Sequence, residues 1–149
     1  MHLIPQDKVV LIKKLSIAIL IPFKIHQNSI KLWVQTRESH DELKGLLEFP
    51  GGKVELGESI LSASLREVHE ETGIILKKDD LRFFKTYSVF KKVLISVYLF
   101  NDSASLFNIN SYKDLSYLQS NLSQLPPNNE VILTDLYEYF QGFILSTDT

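Results

Sequence analysis

Apolar and polar residues alternate through Ile30, Leu32 and Val34, the period of two that presses one face of a strand onto a core. Upstream, Leu15 to Ile21 (LSIAILI) is apolar and β-branched. Pro22 is expected to end that strand, because proline cannot donate to a sheet ladder. The polar run His26-Gln27-Asn28-Ser29 makes the turn of a hairpin whose return strand is 30–36. Arg37 to Lys44 reads as a charged loop entering the segment Leu46 to Phe49. Pro50-Gly51-Gly52 breaks the pattern, a short segment follows over Lys53 to Leu56, and Gly57 breaks it again. The period then changes. Ser59 is a suitable N-cap, Ile60 to Thr72 has helical character, and Gly73 supplies the left-handed residue that ends a helix. Leu81 to Ser88 and Val93 to Phe100 read as two more strands, and Asn101 to Leu115 is polar and irregular. Leu118 to Leu125 suits a helix that Pro126 and Pro127 stop. Val131 to Leu145 suits a last amphipathic helix, with Ile132, Leu136, Tyr139, Phe140 and Phe143 near helical spacing. Residues 1–12 read as an N-terminal extension with room for a short strand.

Composition narrows this picture. A chain of 149 residues is expected to form one domain over 1–149 with a well-buried core. Its 44% hydrophobic content and mean hydropathy near zero are those of an ordinary soluble globular protein. A formal charge of −2 and the lack of a basic cluster interleaved with aromatics argue against a nucleic-acid polymer as partner. No cysteine is present, which removes disulfides, thiolate metal sites and a cysteine nucleophile, and fits a reducing compartment. Lys8, Lys13 and Lys14 ahead of the run Leu15 to Phe23 imitate a signal peptide, but the run is short, Lys24 follows, and no small-residue cleavage site appears. The run is also too short to span a bilayer. A cytoplasmic protein without a membrane partner is expected.

The helix at Ile60 to Thr72 carries the candidate chemistry. At about 100° per residue, Glu70 lies about 60° to one side of Glu67 and Glu71 about 40° to the other. Leu61, Leu65, Val68 and Thr72 fall about 100° to 160° away and are expected to form the core stripe. Ala63 and Ser64, one turn earlier, are small and leave room beside the acids. Like charges at these spacings cost a few tenths of a kcal/mol each, and negative charge near a helix C-terminus opposes the macrodipole. Arg66 offsets part of this by pairing with Glu70 at i,i+4. A solvated charged face accounts for any one of these glutamates, but poorly for three beside a Pro-Gly-Gly turn. A hard divalent cation such as Mg²⁺, held by carboxylates together with substrate phosphates, accounts for all three.

The segment GKVELGESILSASLREVHEETGI resembles the Nudix box, G-x5-E-x7-R-E-U-x-E-E-x-G-U with U aliphatic. It matches at Gly52, Glu58, Arg66, Glu67, Val68, Glu70, Glu71, Gly73 and Ile74. A chance match in such a chain is on the order of one in ten million from average residue frequencies. The resemblance implies an α/β/α sandwich with a mixed β-sheet, in which the box forms a loop–helix–loop. It implies hydrolysis of a nucleoside diphosphate derivative by attack of water at phosphorus, with Mg²⁺ as cofactor and Mn²⁺ able to substitute. It assigns Glu70, Glu71 and a backbone carbonyl of the Gly51-Gly52 turn to the metal, and Glu67 as ligand or base. Arg66 and Glu58 match the positions that orient those acids.

Outside the box the chain is similar to the MutT-type branch, which sanitises oxidised guanine nucleotides such as 8-oxo-dGTP, releasing the monophosphate and pyrophosphate. Leu47-Glu48-Phe49-Pro50-Gly51-Gly52-Lys53, Lys14-Leu15-Ser16-Ile17-Ala18, the pair Thr36-Arg37 and Leu125-Pro126-Pro127-Asn128-Asn129-Glu130 carry that similarity. It places Arg37, Phe49, Lys92 and Asn129 where nucleotide-binding residues stand. Two positions depart from the pattern: Lys92 replaces an expected arginine, and Lys is not a neutral substitute for a planar fork, while Glu38 replaces a second basic residue. A further acidic ligand from a later loop is not evident, and Asp114 is the candidate. The alternatives are a Nudix hydrolase for ADP-ribose or a dinucleoside polyphosphate, and an inactive Nudix-fold binding module. Members of the ADP-ribose type often carry a proline about fifteen residues past the box, and none stands between Pro50 and Pro126. An inactive module is expected to lose box acids, and none is lost.

Overall fold

In a computed structural model of the chain, residues 15–38 and 40–147 are described. The expected extension over 1–12 and Lys14 of the first-strand motif lie outside them, as does the side chain of Phe143. The strands are β1 (Leu15–His26), β2 (Ser29–Trp33), β3 (Gln35–Thr36), β4 (Leu47–Glu48), β5 (Gly51–Lys53), β6 (Leu81–Val89), β7 (Val93–Asn101) and β8 (Tyr112–Asp114). The helices are α1 (Ile60–Thr72), α2 (Leu115–Ser120) and α3 (Asn129–Thr147). The chain divides into two compact units interleaved in sequence, one from 15–20 with 51–98 and one from 21–50 with 99–147.

In the first unit β1 opens against β5 in antiparallel register, with Ile17 opposite Lys53 and Ile19 opposite Gly51. On its other side the Leu15 amide donates to the Lys92 carbonyl at the start of β7. β6 and β7 form a hairpin whose turn, Phe90-Lys91, takes positive φ at both residues. That turn type matches the right-handed twist of the strands it joins. Ala18, Leu20, Ala63, Val68, Ile95 and Val97 form this unit's core. In the second unit the rest of β1 pairs with β2, Phe23 opposite Leu32 and His26 opposite Ser29, around a similar turn at Gln27-Asn28. β2 pairs with β8. The Asp102 amide donates to Phe23, so the bonds linking β1 and β7 ascend along both strands. These two strands are parallel while the other registers are antiparallel, so the sheet is mixed. Leu32, Phe107, Ile132, Leu133, Leu136 and Phe140 are buried here, and Trp33 packs edge-on to Phe107 at 5.1 Å.

Four sequence expectations change, one being the helix expected over Leu118 to Leu125, which forms over Leu115–Ser120 and gives way to a separate short turn over Leu122–Gln124. β1 does not stop at Pro22 but runs to His26. Pro22 falls between the stretch of β1 paired with β5 and the stretch paired with β2, so its missing N–H breaks no ladder bond. The return strand expected over 30–36 is two strands, because Val34 leaves the ladder to donate to Ser111 while Gln35 and Thr36 pair with β4. On α1, Leu61, Leu65 and Thr72 are only half-buried, and the buried residues are Ala63, Ser64 and Val68. The small pair is fully buried and lets the helix lie close against its neighbours, so the buried arc includes the direction of Glu67.

Candidate active site

The Ser59 side chain accepts from the Ser62 amide and opens α1 where the sequence indicates, and Gly73 closes it at φ 78°. Ahead of the helix, Gly57 at φ 80° turns the chain so that the Glu58 amide donates to the Glu55 carbonyl. The Glu55 amide in turn donates to the Glu58 carboxylate at 3.0 Å. That turn brings Glu58 onto Arg66. The guanidinium donates through Nε and Nη2 to the two oxygens of Glu58 at 2.8 and 3.1 Å, a bidentate pair. Its Nη1 reaches Glu67 at 3.0 Å and Glu70 at 3.2 Å, and Nη2 also donates to the Lys53 carbonyl at 3.0 Å. Arg66 thus binds the loop before the helix, β5 and two acids of the helix at once, well beyond the single Glu70 pair that helical spacing suggests.

These contacts fix the local charges. The bidentate bond from Arg66, aided by the Glu55 amide, holds the Glu58 carboxyl below the ordinary carboxylate range against a smaller opposing effect of burial. Reciprocally, Glu58 first, then Glu67 and Glu70, hold Arg66 firmly protonated. A depressed carboxyl contributes stability that is complete above the unfolded value and is lost as pH falls through the folded one. Arg66→Gln is therefore expected to melt below wild type at neutral pH, with the two melting temperatures converging as pH drops below the ordinary carboxylate range. A gap that stays constant well below that range would rule out this electrostatic role.

The glycines before the helix make the acids' places. A Cβ on Gly52 would stand 2.5 Å from the Glu67 carboxylate, so the bare glycine is the surface against which Glu67 rests. A Cβ on Gly51 would meet the carbonyl oxygen of Ala18 in β1. The Gly51 amide donates to Glu71 at 3.0 Å. Glu67 is 17% exposed in its side chain and Glu70 57%. The structure thus brings together Gly51, Gly52, Glu58, Arg66, Glu67, Glu70 and Glu71. Among the described residues no three acidic or imidazole groups converge as a ready metal cage, and Arg66 and the Gly51 amide hydrogen-bond to these carboxylates. The donor set, three carboxylates and the Gly51 carbonyl, is nevertheless all hard oxygen and fits a small divalent cation.

The other sequence candidates lie as follows. Arg37 donates to both oxygens of Asp41 at 3.2 and 2.7 Å and to Glu48 at 2.9 Å, which fastens the loop between β3 and β4 and holds its guanidinium protonated. Phe49 is buried at 5% exposure. Lys92 is exposed beside the β6–β7 turn, where its amide donates to Val89. Asn129 is the first residue of α3, 7% exposed, and its Nδ2 donates to the Pro126 carbonyl at 3.3 Å. Asp114 is engaged within the second unit by Ser29 at 3.1 Å and Lys31 at 3.4 Å.

Sequence reasoning missed Asp102, fully buried in the stretch that looked merely irregular. It accepts from the Leu106 and Phe107 amides and from the Tyr112 hydroxyl at 2.7 Å. Burial and that bond push the Tyr112 phenol far up. A lone aspartate among serines carried no periodic signal by which to find it. Among the described residues no helix is long and apolar enough to cross a membrane.

The model of the NUDIX domain matches residues 14–128. Over 62 residues the chain is 40% identical to the 8-oxo-dGTP diphosphatase of Escherichia coli (strain K12), a stretch covering 42% of this chain and 46% of that enzyme. The chain thus spans less than half the length of that curated relative. Among solved structures, MutT from Aliivibrio salmonicida and Vibrio cholerae superposes with a TM-score of 0.62 at 24% identity, over 82% of this chain and 95% of that one. The NUDIX domain of Shewanella oneidensis NrtR, complexed with ADP ribose, superposes with a TM-score of 0.61 at 18% identity, over 92% and 99%. At these identities the superpositions show the fold alone, the α/β arrangement with a mixed sheet.

Proposed function

The chain belongs to the NUDIX family, and from that premise we propose that it is a divalent-cation-dependent nucleotide diphosphatase that hydrolyses 8-oxo-dGTP or a related oxidised purine nucleoside triphosphate to the monophosphate and pyrophosphate. The observation that carries the hydrolytic reading is the joined set of Arg66, Glu58 and Glu67 against Gly52, with Glu70 and Glu71 beside it. Glu70, Glu71, Glu67 and the Gly51 carbonyl would hold Mg²⁺ or Mn²⁺. Such a cation, when bound, neutralises the diphosphate and favours attack of water at phosphorus. Arg66 aims Glu67 and Glu70 through its hydrogen bonds to both, and Glu58 keeps Arg66 in place. The partner is then a small nucleotide rather than a polymer. The deciding experiment is a substrate panel with Mg²⁺, scored by pyrophosphate or phosphate release from 8-oxo-dGTP, dGTP, ADP-ribose and a dinucleoside polyphosphate. Fastest turnover of either of the last two would replace the substrate assignment and leave the hydrolase.

The substrate part rests on the similarity to the E. coli enzyme and on Asn129. Oxidation at C8 turns guanine N7 from an acceptor into an N–H donor while O6 remains an acceptor. A side-chain amide offers one acceptor and a two-proton donor in a fixed fork. One proton of the Asn129 amide goes to Pro126, which leaves the second for O6 and the amide oxygen for N7–H. Unmodified guanine would set that oxygen against a lone pair, and a buried polar mismatch discriminates better than a missing methylene. Asn129→Ala is expected to lower kcat/KM for 8-oxo-dGTP about a hundredfold or more, and for dGTP far less. Equal losses on both substrates would mean that Asn129 only shapes the start of α3.

A further inference from the structure

Outside the box, the second unit contains a cavity of about 560 Å³ lined by Lys24, His26, Lys31, Asn101, Ser103 and Tyr112, with Ile109 also on its wall. None of these residues belongs to the unit that carries the box. Lys24 and Lys31 are register partners across the β1–β2 ladder, and His26 and Ser29 are the next pair along that face. Like charges placed directly opposite in an antiparallel pair are unfavourable, so this pairing works against the hairpin that carries it.

The present contacts relieve the repulsion only in part. The Lys24 ammonium donates to the Asp102 carbonyl at 3.0 Å and to the Ser105 hydroxyl at 2.6 Å, both neutral acceptors. The Asp102 carboxylate is committed to two amides and to the Tyr112 hydroxyl. Lys31 has a long ion pair with Asp114 at 3.4 Å, with both side chains well exposed at 39% and 46%. No carboxylate side chain lines the cavity among the described residues, whereas Asn101 and Ser103 add neutral hydrogen-bonding groups. Ile109, 67% exposed, supplies an apolar wall. The volume is that of a small-molecule site rather than of a bare ion.

We propose that this cavity is an anion site for a phosphate-bearing small molecule, whose phosphate sits between the paired Lys24 and Lys31 and whose remainder packs toward Ile109. The proposal is independent of the substrate assigned to the box. It is tested by isoleucine-methyl NMR on the whole chain in EDTA, titrated with AMP and, separately, with inorganic phosphate. Ile109 reports on the cavity, and Ile60 and Ile74 report on the box unit. A saturable shift at Ile109 is expected at millimolar concentrations or below. Lys31→Gln, with the remaining methyl spectrum preserved, is expected to weaken it about tenfold or more, the loss of one hydrogen bond to a charged group. Lys24→Gln is read in the same way, so the test does not depend on one variant. Tighter binding of AMP than of inorganic phosphate supports the site, whereas equal binding shows that the rest of the molecule makes no contact at Ile109 and overturns it. Ile109 unmoved by either probe, or affinities unchanged in both lysine variants, overturns it. AMP shifting only Ile60 and Ile74 overturns it too, while leaving the hydrolase reading standing.

Discussion

Glu71→Gln is expected to lower kcat by about a thousandfold or more, the several kcal/mol that a cation supplies to a phosphoryl transition state expressed as rate. The substitution is a sharp one because of what it preserves. Glu71 accepts from the Gly51 amide, and the oxygen of a glutamine amide can accept the same bond, so the tether between β5 and α1 survives. Only the charge goes. One acid fewer on the face shared with Glu67 and Glu70 also removes like-charge repulsion, so the melting temperature should hold or rise slightly. Wild-type activity should vanish with EDTA and return with Mg²⁺ or Mn²⁺, and added metal should not restore the variant. A Glu71→Gln enzyme turning over near the wild-type rate would remove Glu71 from the metal set.

How much of this was legible in the sequence depended on whether the cause was local. Ser59, the period over Ile60 to Thr72 and Gly73 act within a few residues of one another, and α1 begins and ends where they indicate. The box acids were legible for the same reason, since spacing on one helix fixes their common face. Pro22 misled because its effect depends on which neighbour faces it, and β1 changes partner at that point. The core stripe of α1 held at Val68 but not at Leu61, Leu65 and Thr72, because periodicity assigns burial to the larger apolar residues, whereas packing favoured the close approach that Ala63 and Ser64 allow. The Glu58–Arg66 pair needed the turn at Gly57, and the opposition of Lys24 and Lys31 needed the hairpin register. Asp102 needed the whole loop folded around it. Arg37, read as a nucleotide ligand, is engaged by Asp41 and Glu48, leaving two of the five guanidinium protons for a substrate.

The two glycines that open β5 look equivalent in the sequence, yet the same substitution at each is expected to fail differently. A methyl at Gly51 would be driven into the Ala18 carbonyl of β1, a backbone atom held by its own strand. It cannot withdraw without parting β1 from β5, so Gly51→Ala should cost about 3 kcal/mol or more of stability. A methyl at Gly52 meets the carboxylate of Glu67 at 2.5 Å, the far end of a flexible side chain that can swing away. The fold then survives, but Glu67 leaves both its seat and its bond to Arg66 at 3.0 Å. Gly52→Ala should therefore keep a melting temperature within a few degrees of wild type, a shift of the order of 1 kcal/mol, and lose kcat by about a hundredfold or more. Thermal melts and steady-state rates on the pair separate the two effects. If Gly52→Ala instead keeps full activity, the seat at Gly52 does not hold Glu67 for catalysis. If both variants lose only stability, the start of β5 is a folding element and the acid's position is set elsewhere.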